Sequence, residues 1–222
     1  MQLRLPLLLT LLGMNLIGFS QVRLAAHAGY QSTTVKYTIE GSEQSTGSKN
    51  GIVAGFSLKV PFENRLHFFP TVQYSKKGYT VDLKDKAFPP SAIAINNNTT
   101  IHAIDFAPLL QFDFSKNPSH LFVRFGPSFD FVVSGKESFD TLNSAGERGN
   151  VTQDMLFSFG DYGRISASVA GHFGYQAASG LMIFAHYNYG IGSMNNADYG
   201  PRILHRIAGI SVGYLFGARR KK

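Results

Sequence analysis

A chain of 222 residues with a formal charge of +7 and no cysteine has the length of one domain rather than two. Lacking cysteine, it cannot be stapled by disulfides or carry thiol redox chemistry, so its own packing or a membrane must hold it together. The charge is not the footprint of a nucleic-acid binder, which would carry a basic stripe on its folded face. Arg4 lies in the opening segment and Arg219, Arg220, Lys221 and Lys222 end the chain, leaving only +2 for everything between.

The opening reads as a targeting segment. Arg4 supplies a positive start, residues 5–19 are apolar apart from Thr10 and Asn15, and Gly18 and Ser20 stand at −3 and −1 of a cleavage site before Gln21. The apolar stretch is shorter than the roughly 20 residues a spanning helix needs. A second site at Ala26-His27-Ala28 would cut a good strand in half. The expectation is a signal peptide over 1–20, followed by an exported domain over 21–218 and a basic tail over 219–222.

From residue 22 onward, eight stretches alternate between apolar and polar or small residues. The first, 22–36, sets Leu24, Ala26, Ala28 and Tyr30 against Arg23, His27 and Gln31, and a Ser/Thr/Gly-rich loop over 38–50 follows. The second, 51–62, has Ile52, Ala54, Phe56, Leu58, Val60 and Phe62 on its apolar face. Glu63-Asn64 turns into the third, 65–81, where Leu66, Phe68, Val72 and Tyr74 oppose Arg65, His67, Thr71, Gln73 and Ser75. After a loop over 82–98 comes the clearest stretch, 104–114: Ile104, Phe106, Pro108, Leu110, Phe112 and Phe114 against Asp105, Ala107, Leu109, Gln111 and Asp113. Residues 115–118 turn into 121–134, and a polar loop over 136–161 leads to 162–177. Ala178-Ser179-Gly180 then joins the seventh stretch, 181–191, and an Asn/Gly-rich segment leads to the last, 203–216.

A two-residue period places successive side chains on opposite faces of a strand. Runs of about ten such residues, joined alternately by short turns and longer loops, mark a transmembrane β-barrel. An even strand count puts both termini at the short-turn rim, on the periplasmic side. The polar faces mix small residues with isolated charges of both signs, as a narrow lumen requires. Tyr187, Tyr189, Phe112, Phe114, Tyr214 and Phe216 stand where interfacial aromatic girdles belong. The predicted fold is therefore all-β: an eight-stranded antiparallel transmembrane up-and-down barrel preceded by a signal peptide, in the outer membrane of a Gram-negative bacterium. Pro70, Pro108 and Pro127 interrupt a ladder that has no free edge, and local bulges near a rim are expected there.

Lys59, Arg65, Asp105, Asp113, Arg124, Asp130, His172 and His186 fall on the inward face, with Arg23, His27, His67 and His205. Carboxylates beside histidines are ingredients of acid–base chemistry. These, however, are scattered over many strands, with no HxxxH or Asp-x-Asp cluster. The reading is a lumen charge network that neutralises itself, with no catalytic, metal or cofactor residues. Ser138 and Ser144 lie toward the outer rim without any sign of activation.

The residue patterns also resemble a known family. FPTVQYSKKGY (69–79), IDFAPLLQFDF (104–114), RFGPSF (124–129), HYNYGIGS (186–193) and IAGISVGYLF (207–216) are similar, in order, to strand motifs of the Bacteroidetes outer-membrane β-barrel domain family, called porin-like or PorT-like. The likeness covers about 22–216 and implies an outer-membrane barrel with no catalytic residues to carry over. Such barrels commonly end near their last aromatic residue, whereas this chain continues six residues past Phe216.

The expected function is a non-enzymatic scaffold or interaction protein that contacts other molecules through loops 38–50, 82–98 and 136–161. Its partners would be membrane lipid, together with envelope or secretion-apparatus proteins or extracellular ligands, and not nucleic acid. A narrow channel or transporter for small solutes is the alternative, and a loop-borne enzyme a third. The sequence leaves the oligomeric state open.

Overall fold

In the computed structural model, residues 22–86 and 88–217 are described; the predicted signal peptide, its cleavage site and the basic tail lie outside them. The strands are β1 (Arg23–Ile39), β2 (Ser42–Glu43), β3 (Ser45–Glu63), β4 (Leu66–Asp82), β5 (Asn96–Asp113), β6 (His120–Leu142), β7 (Arg148–Asp154), β8 (Ile165–Gln176), β9 (Leu181–Gly190) and β10 (Arg202–Leu215). Eight of them form an antiparallel ring in the order β10-β9-β8-β6-β5-β4-β3-β1, closed by β1 pairing with β10 from Ala25↔Leu215 to Thr38↔Arg202. The small β2 and β7 pair only with β1 and β6, at the rim opposite the termini. No helix among the described residues is long and apolar enough to cross a membrane.

The ring has two storeys with opposite polarity. In the lower one the outward side chains are apolar and exposed, among them Phe56, Val72, Phe106, Phe125, Phe173, Ile183 and Val212. Those turned inward are buried and mix polar side chains such as Lys59, Asp105, Gln111 and Asp130 with an apolar group that includes Phe69, Leu109, Phe122, Met182 and Phe184. From residue 104 to 114 this outer band takes ten residue steps of about 3.4 Å; tilted by about 40° they rise roughly 26 Å, enough to cross the hydrocarbon. Above it the pattern inverts. Lys36, Lys76, Asn98 and Lys136 point out, while Val35, Tyr37, Ile39, Tyr79, Val81, Ile101, Val132, Met155, Tyr162, Met194 and Ile203 form one buried apolar cluster inside.

Of the long loops expected over 38–50, 82–98 and 136–161, the first and the last are thus mostly strand, whereas 82–98 is a true connection trimmed only at its ends. β1 runs to Ile39 and β3 begins at Ser45, β5 begins at Asn96, and β6 continues to Leu142 before turning back through β7. The last of these follows a bulge. Opposite His102 and Ala103, β6 has one residue too many between Ser134 and Val132, so Val133 and Ser134 both face outward. Inward positions then change from Ser128, Asp130 and Val132 to Glu137 and Phe139.

The prolines do not sit at bulges. Pro70 stands directly opposite Pro108 in an unbroken β4–β5 register, and the constant β5–β6 register places Pro108 opposite Pro127. The three make a row across adjacent strands in the middle of the apolar band. Their missing N–H groups explain why bridges are absent between Phe106↔Phe129 and Leu110↔Phe125, and between Ser57↔Thr71 and Val60↔Phe68. Gly126 fits this row because a Cβ there would lie 2.8 Å from the Pro108 carbonyl oxygen.

Candidate functional site

Inside the lower storey the polar side chains gather into three groups along the lumen. Nearest the rim of the short turns and the termini, Lys59 Nζ lies 2.6 Å from Asp113 Oδ2, with both side chains buried. His67 Nδ1 and His120 Nε2 approach the same oxygen at 3.5 and 3.3 Å, and Gln111 donates to Asp113 Oδ1. One carboxylate and two imidazoles are ligand types of a zinc site. Here the Lys59 ammonium already holds the place of the cation, and no described group of three such side chains is arranged for a metal.

Next above is Arg124, fully enclosed and without a carboxylate of its own. Its Nε donates to Gln111 Oε1 at 2.7 Å. Its guanidinium lies 3.7 Å from the Phe69 ring centroid, 4.3 Å from Phe122 and 5.0 Å from Phe184. Three aromatic faces give an Arg the electrostatic partner that a second acid would otherwise supply. His172 stacks on Phe184 at 5.4 Å, and His186 lies 5.8 Å from His172.

The third group is built on Lys77. Its Nζ lies 2.8 Å from Asp130 Oδ2 and 3.4 Å from Asp105 Oδ1, with all three side chains about 1% exposed. Gln73 donates to Asp105, and Ser166 to Asp130 at 3.1 Å. Two carboxylates share one ammonium and are further hydrogen-bonded, which is what charge buried in a narrow lumen demands.

The structure therefore brings together Lys59 with Asp113, Asp105 with Asp130, and Arg124 with His172 and His186 by way of Phe184. It separates Arg65 from the lumen. That residue sits in the β3–β4 turn, where it donates to the Phe114 carbonyl at 2.8 Å and stacks over Phe112, because it follows Asn64, whose φ of 49° makes the turn. Lys77, the central cation, was not singled out in the sequence, although it is the next inward position after Arg65, His67, Thr71, Gln73 and Ser75. Glu137 was expected in the outer loop over 136–161; β6 instead continues past the bulge to Leu142 and turns Glu137 inward. Tyr162 donates to it at 2.7 Å and Asn97 at 3.2 Å from within the upper cluster. Burial, with Tyr79 and Glu137 close by, pushes the Tyr162 phenol well above its ordinary pKa.

At the short-turn rim a cavity of about 790 Å³ opens over Lys59, His67, Asp113 and His120. At the opposite end, the crown carries exposed apolar side chains: Phe159 and Tyr199 are 98% and 96% exposed, with Leu156 also in the open. Their loops are tied together, since Asn196 donates to the carbonyls of Asp161 and Ser158.

The outer membrane protein beta-barrel domain family matches residues 15–196. The chain belongs to that family. The ring of strands, its lipid-facing band and its polar interior are thus those of an outer-membrane β-barrel, and the protein resides in the Gram-negative outer membrane. Among solved structures this barrel is similar to Ail, the attachment invasion locus protein of Yersinia pestis, at 12% identity over 87% of this chain and 98% of that one (TM-score 0.45). It is also similar to the outer membrane protein OprG from Pseudomonas aeruginosa (11%, 87% and 95%, TM-score 0.42) and to Neisserial surface protein A (15%, 86% and 97%, TM-score 0.41). No curated protein sequence matches it.

Proposed function

We propose that this outer-membrane barrel is a non-enzymatic interaction protein that works through its extracellular crown. The observation that carries this reading is the inverted upper storey. Strands that cross the membrane continue beyond it, with polar exteriors around an apolar core of their own. A barrel built to pass solutes would keep its lumen wet; this one closes it with Tyr37, Tyr79, Ile101, Tyr162 and Ile203. The same core makes the crown a rigid platform for Phe159, Leu156 and Tyr199, and exposed aromatics of this kind anchor protein contacts. The sequence motifs shared with porin-like barrels support a source among the Bacteroidetes, and the opening residues support export by a signal peptide cut after Ser20.

Planar-bilayer recording of the purified barrel tests the reading. The expected result is no steady single-channel current. A steady current through the unaltered protein would make it a narrow channel instead.

A further inference from the structure

Where the strand exteriors change from apolar to polar, three lysines meet on one patch of β3, β4 and β6. On β4 the last lipid-facing side chain is Tyr74 and the next outward one is Lys76, paired across the ladder with His102 of β5. One step higher, Thr100 of β5 stands opposite Lys136 of β6. Lys49 reaches the same place from β3. An extra residue in β3 between Ser48 and Val53 turns it outward, and its side chain crosses the face of Gly78, where Cδ lies 3.3 Å from the position a Cβ would take. Its ammonium ends 2.6 Å from Asn98 Oδ1 and 2.7 Å from Thr100 Oγ1.

The acids do not match this charge. The ion pairs of the described residues are those of Lys36, Lys59, Lys77, His67 and His120. Among those residues, no carboxylate comes within 4.0 Å of Lys49, Lys76 or Lys136. The acid nearest in register is Asp154, opposite Lys136. Desolvation against the barrel wall and repulsion from Lys76 both lower the Lys49 pKa, which is the condition an added anion relieves. His102 stands beside them with its Nδ1 2.6 Å from the Tyr74 hydroxyl; in the tautomer in which Nδ1 accepts the phenol proton, Nε2 carries the ring hydrogen and adds a donor.

We propose that Lys49, Lys76, Lys136 and His102 form a binding site for the phosphate groups of an outer-leaflet lipid headgroup. The height of the patch selects a lipid, because it begins one residue pair above Tyr74 and Ile104, at the hydrocarbon edge. The rim selects the leaflet, since it lies opposite the short turns and both termini. The outer leaflet of a Gram-negative outer membrane is a phosphorylated glycolipid. Three ammonium groups and an imidazole N–H on adjacent strands about 4.8 Å apart match a headgroup phosphate, which accepts several charge-assisted hydrogen bonds at once.

The test is binding of the purified full barrel to mixed micelles of bisphosphorylated lipid A, with dephosphorylated lipid A and free inorganic phosphate as parallel titrants. The unaltered barrel is expected to retain the bisphosphorylated lipid and to bind the dephosphorylated one and free phosphate far more weakly. The K49Q/K76Q/K136Q variant should lose about 100-fold in affinity, the effect of three charges at an anionic surface, while K116Q at the opposite rim leaves affinity unchanged. The heat-dependent shift in gel mobility shows that each variant is folded. Equal binding of folded triple variant and unaltered barrel, or no preference for the phosphorylated lipid, overturns the proposal. A patch that binds only an added protein from the envelope overturns it as well.

Discussion

Lys76 and Lys77 are neighbours in sequence with opposite surroundings, and replacing each by methionine tests the barrel's polarity at single-residue resolution. Lys77 Nζ sits 2.8 Å from Asp130 and 3.4 Å from Asp105. At an effective dielectric of about 20 those separations correspond to gross attractions of about 6 and 5 kcal/mol. Desolvation of three charges and repulsion between the two carboxylates oppose them. What remains when the cation alone is removed is two uncompensated buried acids, and the loss expected for breaking such a group is about 3–5 kcal/mol. Lys76 is exposed and has no acid within 4.0 Å among the described residues, so Lys76→Met should change stability by about 0.5 kcal/mol or less. The assay is equilibrium unfolding in urea of the full barrel in phospholipid bilayers, followed by circular dichroism and by the mobility difference between folded and unfolded bands. Restoring neutrality with Asp105→Asn and Asp130→Asn in the Lys77→Met background should recover most of the loss. If Lys77→Met is as mild as Lys76→Met, the lumen triad does not hold the barrel together and the inside-out assignment of β4 is wrong.

Replacing Arg124 by Met keeps the volume but removes the Gln111 hydrogen bond and three aromatic contacts, at an expected cost of about 2–4 kcal/mol in the same unfolding assay. Arg124→Lys should recover little of it, since an ammonium cannot stack and reach Gln111 together. Tyr162→Phe leaves the buried Glu137 carboxylate short of a donor and should cost about 1.5–3 kcal/mol; hydrogen exchange should show the change in β7 while the lower storey stays protected. Asp140 accepts from Asn150 and Asn96, which hold its pKa below the usual carboxylate value. Its folded value is depressed, so its stabilisation is present above about pH 4 and is lost as pH falls through that lower value. Amide exchange in the β6–β7 hairpin should therefore rise in acid beyond its intrinsic rate, and Asp140→Ala should be insensitive over that range.

The barrel, its strand count and its short turns were legible in the sequence because lipid outside and polar groups inside give the period of two its full contrast. Ile104 to Phe114 could hardly be read otherwise. Legibility failed where the contrast changed. Above the membrane the outward residues become Asn98 and Lys136 and polar side chains such as Asn97 and Glu137 turn inward, so 96–98 and 136–142 looked like polar loops. Val133 added a residue that reversed the parity of β6. The proline row could not be foreseen, because whether Pro70, Pro108 and Pro127 share a level depends on register across three strands. Lys77 was legible by parity and was obscured by the lysine beside it.

The inversion follows from a change of solvent along one strand. In hydrocarbon, burying apolar surface inside the barrel gains nothing over leaving it against lipid, so the interior is free to hold polar groups provided that each finds a partner. In water the ordinary rule returns, and the same strand must turn its apolar side chains inward to gain about 25 cal/mol for each square ångström buried. On β4 the outer face switches between Tyr74 and Lys76 and the inner face one pair later, between the buried Lys77 and Tyr79. β5 switches its outer face between Ile104 and His102. The membrane edge is thus written in the sequence as the point where the outer face changes character and the inner face follows within one residue pair, and Lys49, Lys76 and Lys136 stand on that line.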